Sequence, residues 1–137
     1  TFGAYEAFEF SKELKEQIGS LSELDGTSIV IDAAGTQESV EECINVCSIG
    51  GKIAFVGIPI IDHIKINPHR MRTKELKIIN VRRANQTLDD CVRLLSEDHG
   101  IFETMISHTF SLKQIQKAFE NNSAYADSVI KTVIKNR

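Results

Sequence analysis

Ser28-Ile-Val-Ile-Asp-Ala-Ala-Gly-Thr36 and Gly50-Gly-Lys-Ile-Ala-Phe-Val-Gly-Ile-Pro59 are the two stretches that decide the fold. Each is a short apolar run that ends in small residues. A segment with helical periodicity joins them, so the three together read as a βαβ unit. In open α/β sheets ligands bind at the carboxyl ends of the strands, which is where these small residues fall. No glycine-rich phosphate-binding fingerprint precedes the unit.

Working outward, Tyr5 to Phe10 alternates and is aromatic, which predicts a short strand. Ser11 is a candidate N-cap for a helix with Leu14, Ile18, Leu21 and Leu24 on one face. Asp25-Gly26 stops that helix. The continuously apolar run from Ser28 predicts a strand buried on both faces, as in parallel sheets. Thr36 is placed to cap the next helix, with Glu38, Glu41 and Glu42 near its start and Val40, Cys43, Ile44 and Cys47 as its inner stripe. Gly50-Gly51 is expected to end it.

Lys52 to Val56 follows as a strand. Ile60 to Asn67 reads as either a loop or a short strand. Pro68 opens a helical turn through Glu75, and Leu76 to Val81 is the next strand. Thr87 with Asp90 and Ser111 with Gln114 have capping-box spacing. Helical faces follow at Leu88, Cys91, Val92 and Leu95, and at Leu112, Ile115, Ala118 and Phe119. Phe102 to Phe110 is expected to be extended, and Ser128 to Ile134 to form the last strand. The resulting order predicts an α/β fold with a partly parallel sheet.

Composition narrows the function classes. The chain has 137 residues, 42% hydrophobic and 26% charged, with a formal net charge of −3. Nucleic acid is therefore not an electrostatically favoured partner. No apolar run approaches the ~18 residues of a membrane helix, so no membrane is expected as a partner. Three cysteines without a disulfide-like framework fit a reducing, cytoplasmic setting. The chain begins inside what reads as a structured segment, and a fragment of a longer protein is expected.

Several residues are candidates for chemistry. Ala33-Ala34-Gly35-Thr36 can let a dinucleotide pass close to the backbone, or form only a tight strand-to-helix turn. Val56-Gly57-Ile58-Pro59 has the same two readings, with Gly57 permitting close approach. Cys43 and Cys47 read as buried thiols, since two ligands are too few for structural zinc. His63, His69, His99 and His108 have no metal-site spacing. Arg82 and Arg83 would alternate across a strand, so one faces a ligand cleft and the other points away. Asp32 reads as a carboxylate near a helix N-terminus, with no identifiable acid/base partner.

Taken in order, these segments resemble the C-terminal part of the medium-chain, zinc-dependent alcohol dehydrogenases, especially the sorbitol (polyol) dehydrogenase branch. The resemblance rests on Phe2-Gly3-Ala4, Ile29 to Val40, Gly50 to Pro59, Lys74-Glu75-Leu76 with Arg82-Arg83-Ala84-Asn85, and Ile106 to Leu112 followed by Ala118-Phe119. It implies a partial Rossmann-type, doubly wound, mostly parallel sheet with flanking helices, lacking its first two strands. Residues 1–86 would be the C-terminal half of a dinucleotide-binding domain, and residues 87–137 a segment returning to the catalytic domain.

By resemblance, Ala34, Gly35 and Thr36 belong to a loop near the cofactor. Val56, Gly57, Ile58 and Pro59 lie beside the nicotinamide. Asn80, Val81 and Arg82 help hold its carboxamide and line the substrate cleft. The cofactors implied for the parent enzyme are NAD or NADP and a zinc ion whose ligands lie outside this chain, and the substrate is a small alcohol or polyol. The isolated chain is expected to be inactive. Its exposed sheet edges suggest a homo-oligomer, which leaves a non-catalytic oligomerising module as one alternative and a zinc-free quinone reductase relative as another.

Overall fold

The structure is a computed structural model that describes residues 3–11, 13–21, 25–97 and 99–136. The chain divides into two compact units, Gly3–Arg83 and Ala84–Arg137.

In the first unit, helix α1 (Leu14–Ser20) precedes strand β1 (Thr27–Asp32), helix α2 (Gln37–Val46), strand β2 (Cys47–Phe55), helix α3 (Pro68–Thr73) and strand β3 (Lys77–Asn80). The strands form one parallel sheet in the order β1-β2-β3. Their register aligns Val30 with Ile53 and Ile53 with Ile78, and places Asp32, Phe55 and Asn80 in a single row. All three strands therefore end at the same level, and the chain leaves each of them side by side.

Local sequence explains the helix starts. Thr36 and Ser39 form a reciprocal capping box at the start of α2: the Thr36 hydroxyl accepts from the Ser39 amide at 3.1 Å, and the Ser39 hydroxyl accepts from the Thr36 amide at 3.0 Å. Asn67 caps α3, with Pro68 at its first position. The far end of α2 is closed by a residue 27 to 30 positions away. The Lys74 ammonium donates to the carbonyls of Ile44, Asn45 and Cys47 at 2.8, 2.7 and 2.7 Å, where the helix dipole favours a cation.

The core lies between α2 and one face of the sheet. Val40, Cys43, Ile44, Cys47 and Ile53 are buried, with Val30, Phe55, Ile64, Met71, Leu76 and Ile78 packed against them. Each fully buried Val or Ile contributes roughly 1.5–3 kcal/mol.

Several expectations are corrected. Residues 5–10 form no strand, and Tyr5 and Phe10 are exposed; an extended run becomes a strand only when a neighbour takes its backbone hydrogen bonds. Helix α1 starts after Glu13 rather than Ser11, and Leu24 lies outside the described residues, as does Phe2. Gly50-Gly51 does not end α2. The helix stops at Val46, and both glycines sit in an irregularity of β2 that carries the register from Thr27↔Cys47 to Ile29↔Lys52. Strand β1 is not covered on both faces: Ile29 and Ile31 are 62% and 65% exposed. They alternate with Val30 and so point away from the face that α2 covers.

The second unit contains α4 (Leu88–Glu97), α5 (His99–Glu103), β4 (Ile106–Ser111), α6 (Ile115–Ser123) and β5 (Lys131–Lys135). β4 and β5 are parallel, and α6 provides the crossover that parallel pairing requires. The run from Phe102 to Phe110 is helical at its start rather than extended throughout, and the last strand starts at Lys131 rather than Ser128. Gln114 accepts from both the amide and the hydroxyl of Ser111, at 3.2 and 3.0 Å. Ser107 ties the strand pair together: its hydroxyl accepts from the amides of Ile130 and Lys131 and donates to the Lys131 carbonyl.

Candidate functional site

The row Asp32–Phe55–Asn80 brings three strand-end loops together. A cavity of about 430 Å³ opens there, lined by Asp32, Gly35, Val40, Phe55, Val56, Gly57, Ile58, Pro59, Ile64, Asn80, Val81, Arg82 and Arg83. Eight of the ten residues nominated from sequence are on this wall: Gly35, Val56, Gly57, Ile58, Pro59, Asn80, Val81 and Arg82. Ala34 and Thr36 line a neighbouring cavity of about 380 Å³, shared with Gly35, Gln37, Glu38, Ile60 and Ile61. A larger cavity of about 570 Å³, between α2 and the start of α3, contains none of the ten. Its size alone does not make it the better candidate, because ligands of open α/β sheets bind at strand ends.

Asp32 holds the loops. It is 3% exposed. Its Oδ1 accepts from the amides of Ala34 and Gly35, both at 3.1 Å. Its backbone carbonyl accepts from the amides of Val56 and Gly57, both at 2.9 Å. One residue thus organises the ends of β1 and β2. Asp-Ala-Ala-Gly at a strand end carried the signal, since Asp readily accepts from amides two and three residues on. Nothing in this geometry assigns it proton transfer.

The glycines answer to the same contact. A Cβ on Gly57 would lie 2.5 Å from the Gly35 amide nitrogen, and one on Gly35 would lie 3.0 Å from the Gly57 carbonyl carbon. The two loops touch backbone to backbone, and a φ of +69° at Gly35 adds a second demand for glycine.

These bonds limit what the site can offer a ligand. The amides of Ala34, Gly35, Val56 and Gly57 are committed to Asp32, that of Thr36 to Ser39, and that of Val81 to the Phe55 carbonyl. The cavity retains an apolar wall of Val56, Ile58 and Ile64, with Asn80, Arg82 and Arg83 as side-chain donors. This set fits a flat, partly apolar ring with a polar substituent, such as a nicotinamide. Arg82 and Arg83 do not divide between two faces as expected. β3 stops at Asn80, so strand alternation no longer governs them, and both line the one cavity.

The residues do not fit a metal. Among the described residues no three His, Cys, Asp or Glu side chains converge. Cys43 and Cys47 are buried in the core. Burial, with the charge of Asp32 and the neighbouring Cys47 and Glu42 behind it, pushes the Cys43 thiol up to about 11. Burial also raises that of Cys47, with Lys74 opposing. His69 is exposed beside Arg72, with its Nδ1 3.5 Å from that guanidinium. No helix of the described residues is long and apolar enough to cross a membrane.

Against known proteins, the family described as zinc-binding dehydrogenase matches residues 1–97. Sorbitol dehydrogenase of Bacillus subtilis is 24% identical over 121 residues, which cover 87% of this chain and 34% of that enzyme. Among solved structures, 2R,3R-butanediol dehydrogenase from Bacillus subtilis has a TM-score of 0.80 at 15% identity, covering 93% of this chain and 36% of its own. An alcohol dehydrogenase from E. coli CFT073, solved with NADH, has a TM-score of 0.79 at 22% identity, covering 95% and 38%. The chain spans about a third of the length of the curated relatives it matches.

Proposed function

The chain belongs to the zinc-binding dehydrogenase family, and we propose that it supplies the nicotinamide-side half of the cofactor site of an NAD(P)-dependent alcohol or polyol dehydrogenase. The observation that carries this reading is the common end of three parallel strands, with eight nominated residues on one cavity. Residues 1–86 act as the C-terminal half of the dinucleotide-binding domain and residues 87–137 as the segment returning to the catalytic domain.

When bound, the dinucleotide supplies hydride transfer. The residues of this chain seat the ring against Val56, Ile58 and Ile64, and offer Asn80 and Arg82 to its carboxamide. Asp32 fixes the backbone of the two loops that border that space. A zinc ion bound by the parent enzyme would polarise the alcohol, and among the described residues no three His, Cys, Asp or Glu side chains converge to hold it. The chain acts in the cytoplasm, where Cys43, Cys47 and Cys91 stay reduced. Among the described residues both outer strands of the β1-β2-β3 sheet have an unpaired edge, which favours a homo-oligomer.

The test is NADH fluorescence titrated with the purified chain. Saturable enhancement that is lost in Gly57→Ala supports the reading; a flat titration refutes it. No turnover of a polyol panel is expected, and NADH production would contradict the assignment of the metal chemistry to other residues. Light scattering over a wide concentration range should give a mass above one chain, and a strictly monomeric mass would refute the oligomer.

A further inference from the structure

Two consecutive arginines, both exposed, are among the residues that line one cavity. Arg82 and Arg83 both line it, directly after the C-terminal end of β3. Among the described residues neither is paired with a carboxylate; the ion pairs of the described residues are Lys15–Asp25, Arg93–Asp90 and Arg93–Glu97. The one acid on the same wall is Asp32, buried and bonded to the loop amides through Oδ1. The lining therefore carries two positive charges against one negative, in a chain whose net charge is −3. The loop amides are already bonded within the protein, so the lining residues with side-chain donors left for a ligand are Asn80, Arg82 and Arg83.

We infer that this cavity takes, beside the nicotinamide, an alcohol carrying an oxyanion, a carboxylate or a phosphate, with Arg83 binding that group and Arg82 shared between it and the carboxamide. The inference rests on the reading of the cavity as the substrate end of a dinucleotide site. Arginine matches carboxylate and phosphate geometry through paired N–H donors. A neutral polyol would leave the excess positive charge of the lining residues unmatched by the ligand. The apolar wall of Val56, Ile58 and Ile64 has no donor side chain for an anion, which assigns the charged end of the ligand to the arginine side.

Calorimetric titration of the full chain with D-gluconate, sorbitol 6-phosphate, sorbitol and NADH tests this. An anionic polyol should bind roughly tenfold to a hundredfold more tightly than sorbitol, as expected for hydrogen bonds to a charged group. Gluconate against sorbitol 6-phosphate distinguishes carboxylate from phosphate. Arg83→Met should bring the anion down towards sorbitol, whereas Arg83→Lys should keep part of the preference; far-UV circular dichroism verifies that both variants fold. NADH binding with sorbitol and both anions equal overturns this inference and leaves the dinucleotide reading standing. Selective anion binding without NADH binding overturns the dinucleotide reading and leaves the anion preference standing. An anion preference unchanged in Arg83→Met, or no binding by any ligand, overturns the inference.

Discussion

Replacing Asp32 by alanine should unfasten the site from the sheet. The carboxylate accepts two amides at 3.1 Å, from Gly35, which is buried, and from Ala34, which is exposed. A hydrogen bond to a charged group is worth about 1.5–3 kcal/mol when its partner cannot turn to water. The Gly35 amide cannot, so it accounts for most of the loss. The Ala34 amide can be rehydrated, and adds about 1 kcal/mol. The sum is about 2.5–4 kcal/mol, a large share of the 5–15 kcal/mol typical of a domain.

Asp32→Asn retains one oxygen that can accept, and should cost about half as much. Asp62→Ala, at an exposed loop position, should stay within about 0.5 kcal/mol. Urea unfolding followed by far-UV circular dichroism reads these differences as midpoint shifts at constant slope. Hydrogen exchange adds a local signature: the Gly35 amide should lose protection, while Val56 and Gly57, bonded to the backbone carbonyl of Asp32, should retain it. If Asp32→Ala is as stable as the Asp62→Ala control, the carboxylate does not hold the loop and the reasoning fails.

Other perturbations follow from the same contacts. Lys74→Met removes a cation from three carbonyls at the end of α2 and should cost about 2–4 kcal/mol in urea unfolding; an unchanged midpoint would refute the staple. Gly57→Ala places a methyl 2.5 Å from the Gly35 nitrogen and should destabilise by about 1–3 kcal/mol. Gly100→Ala, with open space around it, should be neutral or slightly stabilising, and equal effects of the two would contradict the loop contact. The folded state keeps the Cys43 proton up to about pH 11, whereas the unfolded chain releases it near pH 9. Stability should therefore fall as pH rises across that window, by up to about 1.4 kcal/mol per unit. Subtracting the pH profile of Cys43→Ala isolates this contribution, and identical profiles would refute it.

What was legible in the sequence was local. Thr36 capped its helix and Pro68 opened another because both signals act within a single turn. The apolar runs around Val30, Ile53 and Ile78 became the parallel sheet, whose register aligns these three residues. The strand expected at residues 5–10 failed for want of a partner, which periodicity cannot supply. The Lys74 staple was illegible because its carbonyls lie 27 to 30 residues away. That Arg82 and Arg83 line the same cavity was missed because alternation was carried past the true end of β3 at Asn80. Of the site, the loops were legible from their small residues, but what those residues do was not. Gly35 and Gly57 allow the two loops to touch, a contact between segments 22 positions apart.

The most direct test of the central claim is amide chemical-shift mapping of the isotopically labelled chain titrated with NADH. The account predicts that Val56, Gly57, Ile58, Val81 and Arg82 shift together and saturate with one dissociation constant. Shifts confined to the cavity around Glu41, Asn45, Asn67 and Arg70, or no shifts at all, would contradict it.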